Sequence, residues 1–361
     1  MKIALVLGTR PEIIKMCPVI RECEKRKLDY FIVHSGQHYS YEMDKIFFEE
    51  LKLPEPKYNL EIGSAPHGNQ TGNIMIKLEP ILEKEKPDIM LAQGDTNTVL
   101  AAALASAKLG IKVGHIEAGL RSYDRTMPEE TNRVVTDHIS DFLFPPTEKS
   151  REILIKEGID KEKIFVVGNT VVDALKQNIK IADKKGDIRK KLGIKGDYIL
   201  ITAHRASNVD INENLSRLLD LVDKISRKFD YAVVWPVHPR TMKKISEHEL
   251  EIPKKVMKIA PLGYLDFLQL EKNARLILTD SGGIQEEACI LGVPCLTLRE
   301  NTERPESVEV GANKIIGLDA NKALIESEKF MKSKKKWKNP FGDGDSAEKI
   351  IEILVKHGKR K

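Results

Sequence analysis

Short apolar runs rich in Val, Ile and Leu recur along the chain and constrain its fold more than any other feature. In the first half they read KIALVLG, YFIVHSG, DIMLAQGD, VGHIEAG, DFLFPPT and KIFVVGN. Runs without polar alternation are typical of parallel strands that are buried on both faces. Amphipathic stretches such as NTVLAAALASAKLG lie between them and give a repeated βα unit. The first half is therefore predicted to form a doubly wound parallel sheet.

The same pattern restarts after the polar stretch KIADKKGDIRKKLGIKGD, with YILITAH, YAVVWPVH, KVMKIAP, RLILTDS and PCLTLRE. A chain of 361 residues also exceeds what one hydrophobic core usually covers. We expect an α/β protein with two Rossmann-like domains, 1–170 and 171–345. The C-terminal helix, 346–361, is a candidate for packing on the first domain. The carboxyl ends of the strands, facing a cleft between the domains, are the expected ligand site.

Composition excludes several classes of function. A net charge of +5 is small beside 59 basic and 54 acidic residues, which argues against a dedicated nucleic-acid binder. The lysine-rich run KFMKSKKKWKNP is interpreted as a solvated surface loop. The cysteines form no CxxC pair, so neither a zinc site nor a disulfide framework is expected. No apolar run is long enough for a signal peptide or a membrane span, and we expect a cytoplasmic protein with no membrane partner.

Polar clusters follow nearly every predicted strand. They are GTRPEIIK (8–15), QGDTNT (93–98), HIEAGLRS (115–122), TAHRASN (202–208), WPVHPR (235–240) and DSGGIQEE (280–287). One such cluster is readily explained by helix N-caps, since Asp, Thr and Ser are common there. Six of them at the ends of strands indicate a binding site.

The acidic and basic residues of these clusters allow different interpretations. Arg10 and Lys15 are either cationic donors to a phosphate or solvated charges. Asp95 is as well explained by an N-cap as by catalysis. Glu117 lies in an otherwise apolar strand end, where a carboxylate is costly to bury, so a functional role is favoured. The charged series from Arg121 to Arg133 is either a set of surface ion pairs or part of the site.

The histidines raise the question of a metal. His115, His204 and His238 follow or end predicted strands, but no HxH or HExxH pair is present, so no metal site is expected. His204 with Arg205 suits an anionic leaving group. The turn Ser281-Gly282-Gly283 suits a phosphate at a helix N-terminus. Of the two glutamates that follow, Glu286 is expected to face solvent or a neighbouring basic side chain.

Together and in this order, GTRPEIIK, QGDTNT, HIEAGLR, PEETNR, TAHR, DSGGIQEEA and TERPE resemble the non-hydrolysing UDP-N-acetylglucosamine 2-epimerases. The resemblance covers almost the whole chain. It implies the glycosyltransferase-B type of fold, interconversion of UDP-GlcNAc and UDP-ManNAc without a cofactor, a homodimer, and supply of ManNAc units for cell-surface glycans. A glycosyltransferase of the same architecture, a hydrolysing epimerase and a nucleotide-sugar sensor are the alternatives.

The resemblance also implies residue roles. It makes Asp95, Glu117 and Glu129 the carboxylates around the sugar ring, supported by Arg133, and His204 a group facing the diphosphate and sugar. The implied substrate-binding residues are Arg10, Lys15, Arg133, Arg205, Phe267, Ser281, Gly282, Gly283, Glu287 and Arg304, with Glu287 on the ribose hydroxyls and Phe267 by the uracil.

Gln37, His38 and His238 correspond to the segments through which a second UDP-GlcNAc activates bacterial relatives. Here Pro239-Arg240 replaces the Asn-Pro that follows the histidine in those relatives. The three residues are therefore predicted only as candidates for an allosteric site.

Overall fold

The computed structural model describes residues 1–37, 41–333 and 336–357, without the side chains of 41–44. Two compact units account for the chain: Met1–Asn178 with Phe341–Lys361, and Ile179–Pro340. Each unit contains one six-stranded sheet, and each is described by itself.

Unit 1 alternates strands and helices from its first residues. Its strands are β1 (Lys2–Leu7), β2 (Asp29–His34), β3 (Tyr58–Asn59), β4 (Ile89–Gln93), β5 (Lys112–Ile116) and β6 (Phe142–Phe144). Its helices are α1 (Arg10–Lys25), α2 (Tyr41–Glu50), α3 (His67–Glu85), α4 (Asn97–Lys108), α5 (Pro128–Ile139), α6 (Glu148–Lys156) and α7 (Thr170–Lys185), the last of which contains the division between the units.

The sheet of unit 1 runs β3-β2-β1-β4-β5-β6, and all of its strand pairs are parallel. Strand β4 is buried at every position, as a strand covered by helices on both faces must be. On one face, Ala4 and Val6 pack with Ile74 of α3 and Val99 of α4. The predicted doubly wound sheet is confirmed.

Unit 2 repeats the architecture. Its strands are β7 (Tyr198–Thr202), β8 (Ala232–Pro236), β9 (Val256–Ile259), β10 (Leu276–Thr279), β11 (Cys295–Thr297) and β12 (Asn313–Ile315). Its helices are α8 (Ile188–Lys191), α9 (Ala206–Val209), α10 (Asn212–Lys228), α11 (Pro239–Glu247), α12 (Tyr264–Asn273), α13 (Gly282–Leu291), α14 (Pro305–Glu309) and α15 (Ala320–Lys332).

The second sheet runs β12-β11-β10-β7-β8-β9, again entirely parallel. Read from the other edge, this is the strand order of the first sheet, 3-2-1-4-5-6, which is that of dinucleotide-binding Rossmann domains. The C-terminal helix α16 (Ser346–His357) belongs to unit 1, where Arg26 of the segment after α1 contacts Glu348 and Glu352.

One strand prediction is wrong. KIFVVGN forms a single bridge, Leu143 to Ile164, preceded by a 3-10 turn at Lys161–Lys163. Two strands that no apolar run indicates complete the sheets: β3, with two residues, and β12, with three, form one edge of each sheet. Their sequences, YN and NKI, carry no apolar run that could have indicated a strand.

Candidate active site

Two polar clusters of unit 1, GTRPEIIK and QGDTNT, lie where its strand order reverses. Strands β1 and β4 are neighbours, and their chains leave the sheet in opposite directions, toward β2 and toward β5. Loops at the carboxyl ends of two such strands diverge and leave a crevice, the usual ligand position in open α/β sheets. The loops here are Gly8–Arg10 and Gly94–Thr96.

Glu117 follows the next strand, β5, and is the centre of a buried hydrogen-bonded cluster. Its carboxylate accepts from Lys15 Nζ at 2.5 Å, Gln93 Nε2 at 2.5 Å and Asn169 Nδ2 at 3.0 Å, and the residue is 6% exposed. Its φ of +66° is strained for a residue other than glycine. Such strain persists only where surrounding contacts enforce it and is typical of functional sites.

Asp95 is joined to helix α5. Arg133 donates to Asp95 Oδ2 from Nε at 2.9 Å and Nη2 at 2.5 Å, and to Glu130 Oε2 from Nη1 at 2.8 Å. Glu130 also accepts from the Ser122 and Tyr123 backbone N–H groups. Glu129, the residue singled out from sequence, lies half-buried in the first turn of α5 beside these contacts.

Glu12 ties the two loops at the strand-order reversal together. It accepts from the backbone N–H groups of Gly8 at 2.6 Å and Thr9 at 2.8 Å, and from Thr96 Oγ1 at 2.6 Å. Burial raises the pKa of Glu12 to about 7, although all three donors act to lower it. Arg10, in the same loop, lies with its guanidinium carbon 5.0 Å from the centre of the Phe47 ring.

Gln37 has a different environment from the other predicted site residues. Its side-chain oxygen accepts from the Thr98 backbone N–H at 3.2 Å and from Thr98 Oγ1 at 2.7 Å, and its backbone oxygen accepts from Gln70 Nε2. It joins the end of β2 to the start of α4. His38, its companion among the allosteric candidates, lies outside the described residues.

In unit 2, the corresponding reversal falls between β7 and β10, and Asp280 joins the loops that follow them. This fully buried carboxylate accepts from the backbone N–H groups of His204 at 3.0 Å and Arg205 at 2.9 Å, and from Asn208 Nδ2 at 3.1 Å. Burial alone raises the pKa of Asp280, but the hydrogen bonds from His204 and Arg205 outweigh it and hold the pKa below its ordinary value.

His204 and His238 lie next to each other, with ring centroids 5.6 Å apart. His204 Nδ1 is 3.3 Å from Asp280 Oδ1. His238 caps α11 by accepting from the Arg240 backbone N–H at 3.2 Å. Partial burial, with the nearby His204 and Arg240, lowers the pKa of His238. The pair thus combines a histidine held by a carboxylate with one that favours the neutral form.

The glycine turn opens helix α13, with Ser281 as its N-cap. A Cβ on Gly282 would lie 2.5 Å from Glu303 Oε1, so a side chain at this position would displace the Glu303 carboxylate. Glu303 pairs with Arg205 at 3.3 Å and Arg299 at 2.7 Å. Two arginines therefore gather around an anion at the positive end of a helix.

The other predicted residues of unit 2 lie on α12, on α13 and just before α14. Arg304 Nε is 3.0 Å from Glu286 Oε2, so Glu286 is buried against a basic neighbour and does not face solvent. Phe267 is half-buried and packs on the core beneath α12. Glu271 in α12 is fully buried, and burial together with Glu287 raises its pKa well above 4.5.

Within the described part of the chain, no group of three or more His, Cys, Asp or Glu side chains is arranged to hold a metal ion. In the same residues, none of the helices has both the length and the apolar character that crossing a bilayer requires.

Sequence reasoning missed the residues that hold the predicted ones. Glu12 and Asp280 are inside the quoted motifs, yet their roles depend on contacts with loops 84 and 76 positions away. Gln93 and Asn169 contact Glu117 from 24 and 52 positions away. The polar character of Gln93 at the end of the buried strand β4 is a signal that the sequence offers, whereas Asn169 lies outside the strands.

Known proteins of similar sequence and fold identify the family of this chain. A family model described as UDP-N-acetylglucosamine 2-epimerase matches residues 21–355. The UDP-N-acetylglucosamine 2-epimerase of Methanocaldococcus jannaschii is 56% identical over 99% of this chain and 100% of its own length. The UDP-N-acetylglucosamine 2-epimerase of Methanococcus maripaludis is 57% identical over 100% of this chain and 99% of its own length.

A solved structure of the Methanocaldococcus jannaschii UDP-GlcNAc 2-epimerase in complex with UDP-GlcNAc and UDP superimposes with a TM-score of 0.89, covering 99% of this chain and 100% of that one at 57% identity. The expected fold class, two Rossmann-like domains of the glycosyltransferase-B type, is thereby confirmed. The family match spans far more than half of the residues. The chain belongs to the UDP-N-acetylglucosamine 2-epimerase family.

Proposed function

We propose that this protein interconverts UDP-GlcNAc and UDP-ManNAc without hydrolysing either. Family membership supports the substrate, and the buried carboxylate cluster around Glu117 is the observation that supports acid/base chemistry. Unit 1 supplies the acid/base groups, and unit 2 supplies the groups that bind the nucleotide.

The chemistry of the substrate determines the order of steps. The C2 proton of the sugar is not next to a carbonyl, so a carbanion formed there would lack stabilisation. Cleavage of the bond between C1 and the diphosphate oxygen leaves an oxocarbenium-like ring, from which a base removes the C2 proton. The products are UDP and 2-acetamidoglucal. UDP then adds back to C1 while a proton is delivered to the opposite face of C2, which gives the epimer.

This scheme assigns roles to the residues of unit 1. Proton transfer on both faces of one ring requires more than one acid/base group, and Asp95, Glu117 and Glu129 are the proposed set. Lys15 is 2.5 Å from Glu117, and Arg133 is 2.5 Å from Asp95. Two of the three proposed carboxyl groups therefore have a cationic partner within hydrogen-bonding distance. Arg10 and Lys15 also provide positive charge for the diphosphate and sugar.

In unit 2 the leaving UDP is the species to be stabilised. The first N–H groups of α13, Ser281, Gly282 and Gly283, and the side chains of His204, Arg205 and Arg304 are proposed to bind the diphosphate. Glu287 is proposed to accept from the ribose hydroxyls and Phe267 to lie by the uracil. The scheme calls for no cofactor.

Incubation of the enzyme with UDP-GlcNAc alone in deuterated water tests the proposal. We expect reversible formation of UDP-ManNAc with deuterium at C2. Free sugar and UDP would indicate a hydrolysing epimerase, and no turnover until an acceptor is added would indicate a glycosyltransferase. Tight binding without any turnover would indicate a sensor. UDP-ManNAc without deuterium would exclude proton abstraction at C2.

Family membership also leads us to propose a cytoplasmic homodimer that supplies ManNAc units for cell-surface glycans. Sedimentation of the purified chain at the expected dimer mass would support the assembly, and a monomer mass throughout the working concentration range would exclude it.

A further inference from the structure

A buried charged network lies beneath the two loops that carry Asp95 and Glu117. His115 Nδ1 is 2.7 Å from Asp137 Oδ1, and Arg121 Nη2 is 2.7 Å from Asp137 Oδ2. Arg121 also donates to Glu157, from Nε at 2.9 Å and from Nη2 at 2.6 Å. The side chains of His115, Arg121 and Asp137 are at most 1% exposed.

Both ring nitrogens of His115 face acceptors. Nδ1 faces the Asp137 carboxylate, and Nε2 is 2.8 Å from the backbone oxygen of Gly94, which cannot donate. Asp137 is ionised, because its other oxygen already accepts from the Gly119 backbone N–H at 3.1 Å and from Arg121. Each ring nitrogen must therefore carry a proton, which makes His115 an imidazolium.

The charges that face His115 agree with this state. Burial alone lowers the pKa of His115, but the Asp137 carboxylate outweighs it and raises the pKa above 6.5, against a smaller opposing effect of Arg121. The two cations, His115 and Arg121, are balanced by the two anions, Asp137 and Glu157. A neutral cluster with every charge paired is the form in which buried ionised groups are tolerated.

The network adds side-chain contacts to the backbone just past the ends of β4 and β5, where the last backbone hydrogen bonds between strands are Gly94 N–H to the Ile116 oxygen and Glu117 N–H to the Phe144 oxygen. His115 binds the carbonyl of Gly94, the residue before Asp95, and Gly94 has a φ of +90°. Asp137 binds the N–H of Gly119, two residues after Glu117, and Gly119 has a φ of +77°. A Cβ on Gly119 would also lie 2.4 Å from the Ser150 backbone oxygen. Both turns depart from regular strand geometry next to an acid/base candidate, Asp95 in one case and Glu117 in the other, whose side chain they orient.

We propose that His115 is a positioning residue that acts as a permanent imidazolium, fixing the Asp95 loop through Gly94 and, through Asp137, the Glu117 loop. This role rests on the proposed epimerase function, whereas the charge state does not. The positive charge serves geometry, since only a doubly protonated ring can bind a carboxylate and a carbonyl together.

The charge state is tested first, by NMR of the full-length protein labelled with ¹⁵N in histidine. We expect His115 to show two protonated nitrogens throughout the range in which an ordinary histidine titrates, about pH 6 to 8. The exposed neighbour His138, whose Nδ1 contacts the Val134 carbonyl, gives the comparison spectrum of a surface histidine in the same protein. A His115 ring with one protonated nitrogen at neutral pH would overturn the proposal, whatever the enzymatic activity. Asp137→Asn is expected to convert His115 to that singly protonated form.

Two substitutions then separate the contacts. His115→Asn keeps a donor near the Nδ1 position, and His115→Gln keeps one near the Nε2 position. Each loses one of the two hydrogen bonds, so we expect kcat to fall about 10- to 100-fold for both, the cost of small misplacements of reacting groups. UDP affinity, measured by calorimetry, should stay within about twofold because the nucleotide groups belong to unit 2.

His138→Gln on the same helix as Asp137 is the matched control and should leave kcat unchanged. Wild-type kcat in both His115 variants would refute the positioning role. So would an equal loss of kcat and UDP affinity, which would indicate general unfolding. If the wild-type protein itself does not epimerise UDP-GlcNAc, the proposed function fails while the NMR result still decides the charge state.

Discussion

Replacement of Glu117 by Gln changes the centre of the proposed acid/base cluster with the least change of shape. In the wild-type protein, Oε1 accepts from Lys15 and Asn169, and Oε2 accepts from Gln93. A glutamine amide has one oxygen and one NH₂ group. Whichever way it is turned, Lys15 loses its charged acceptor, and the orientation that keeps the oxygen toward Lys15 requires the Gln93 amide to turn its own oxygen toward the new NH₂ group.

Two losses of different size follow. Loss of a hydrogen bond to a charged group costs about 1.5–3 kcal/mol of stability, because Lys15 then lacks the Glu117 carboxylate. Loss of a general base costs about 10²- to 10⁴-fold in rate, which corresponds to about 3–5 kcal/mol in the barrier. If Glu117 is an acid/base residue, the kinetic loss exceeds what the weakened contacts explain.

The assay compares kcat for UDP-GlcNAc epimerisation, deuterium exchange at C2 and denaturant unfolding in the same preparation. Gln93→Ala removes one hydrogen bond to Glu117 but keeps its carboxylate, and it should cost less than about tenfold in kcat. Glu61→Gln is the control for the substitution itself, since Glu61 is exposed and also has a positive φ, +49°. Wild-type kcat for Glu117→Gln, or a loss no larger than that of Gln93→Ala, would refute the assignment.

Three further predictions follow from the site. In the wild-type protein, the Arg133 guanidinium binds both Asp95 and Glu130. Arg133→Lys leaves only a single ammonium group there, so kcat/KM should fall about tenfold. An unchanged kcat/KM would show that this bridge is dispensable. Because the folded pKa of Glu12 is raised from 4.5 to about 7, its contribution to stability is complete below pH 4.5 and is lost as the pH rises through about 7. Glu12→Gln should therefore remove about 3 kcal/mol of the pH dependence of unfolding in that window, and an unaltered pH profile would contradict the raised pKa. Gly282→Ala should weaken UDP binding, measured by calorimetry, because the new Cβ would lie 2.5 Å from Glu303 Oε1. Gly283→Ala should weaken it less, because a Cβ there meets only Ser281 Oγ at 3.9 Å. Equal effects of the two substitutions would argue against crowding as the cause.

The sheets could be predicted from sequence because most of their strands lie in buried apolar runs. The errors arise where an apolar run does not pair along its length and where a strand has no apolar run. KIFVVGN has the composition of a strand, but beside β6 it forms only the bridge between Leu143 and Ile164 and two further backbone hydrogen bonds, from Phe165 and Val167, because tertiary pairing and not propensity decides where a ladder forms. The two-residue strand at Tyr58–Asn59 carries no pattern to detect. Spatial neighbours were likewise hidden: adjacent glutamates do not reveal that Glu130 holds Arg133 or that Glu286 is buried against Arg304.

The two units use one device at the same topological place. Where β1 and β4 diverge, Glu12 accepts the backbone N–H groups of one loop and a hydroxyl of the other. Where β7 and β10 diverge, Asp280 accepts the N–H groups of the opposite loop. A ligand crevice requires loops that diverge from each other, whereas precisely oriented side chains require loops with fixed positions. A buried carboxylate allows both, because it hydrogen-bonds the two loops together beneath their exposed residues.

The carboxylates differ in how firmly they hold a negative charge. Burial raises the pKa of Glu12 to about 7, whereas His204 and Arg205 keep the pKa of Asp280 below its ordinary value. The loops that carry His204, Arg205 and Asp280, proposed to bind the nucleotide, are therefore fixed by an anion that stays ionised across the physiological range, and the loops carrying Arg10 and Asp95 by one that gains a proton near neutrality. Protonation of Glu12 should therefore appear in the pH dependence of kcat, because Glu12 lies beneath the loops that carry Arg10 and the proposed acid/base residue Asp95, and Glu12→Gln should remove that component.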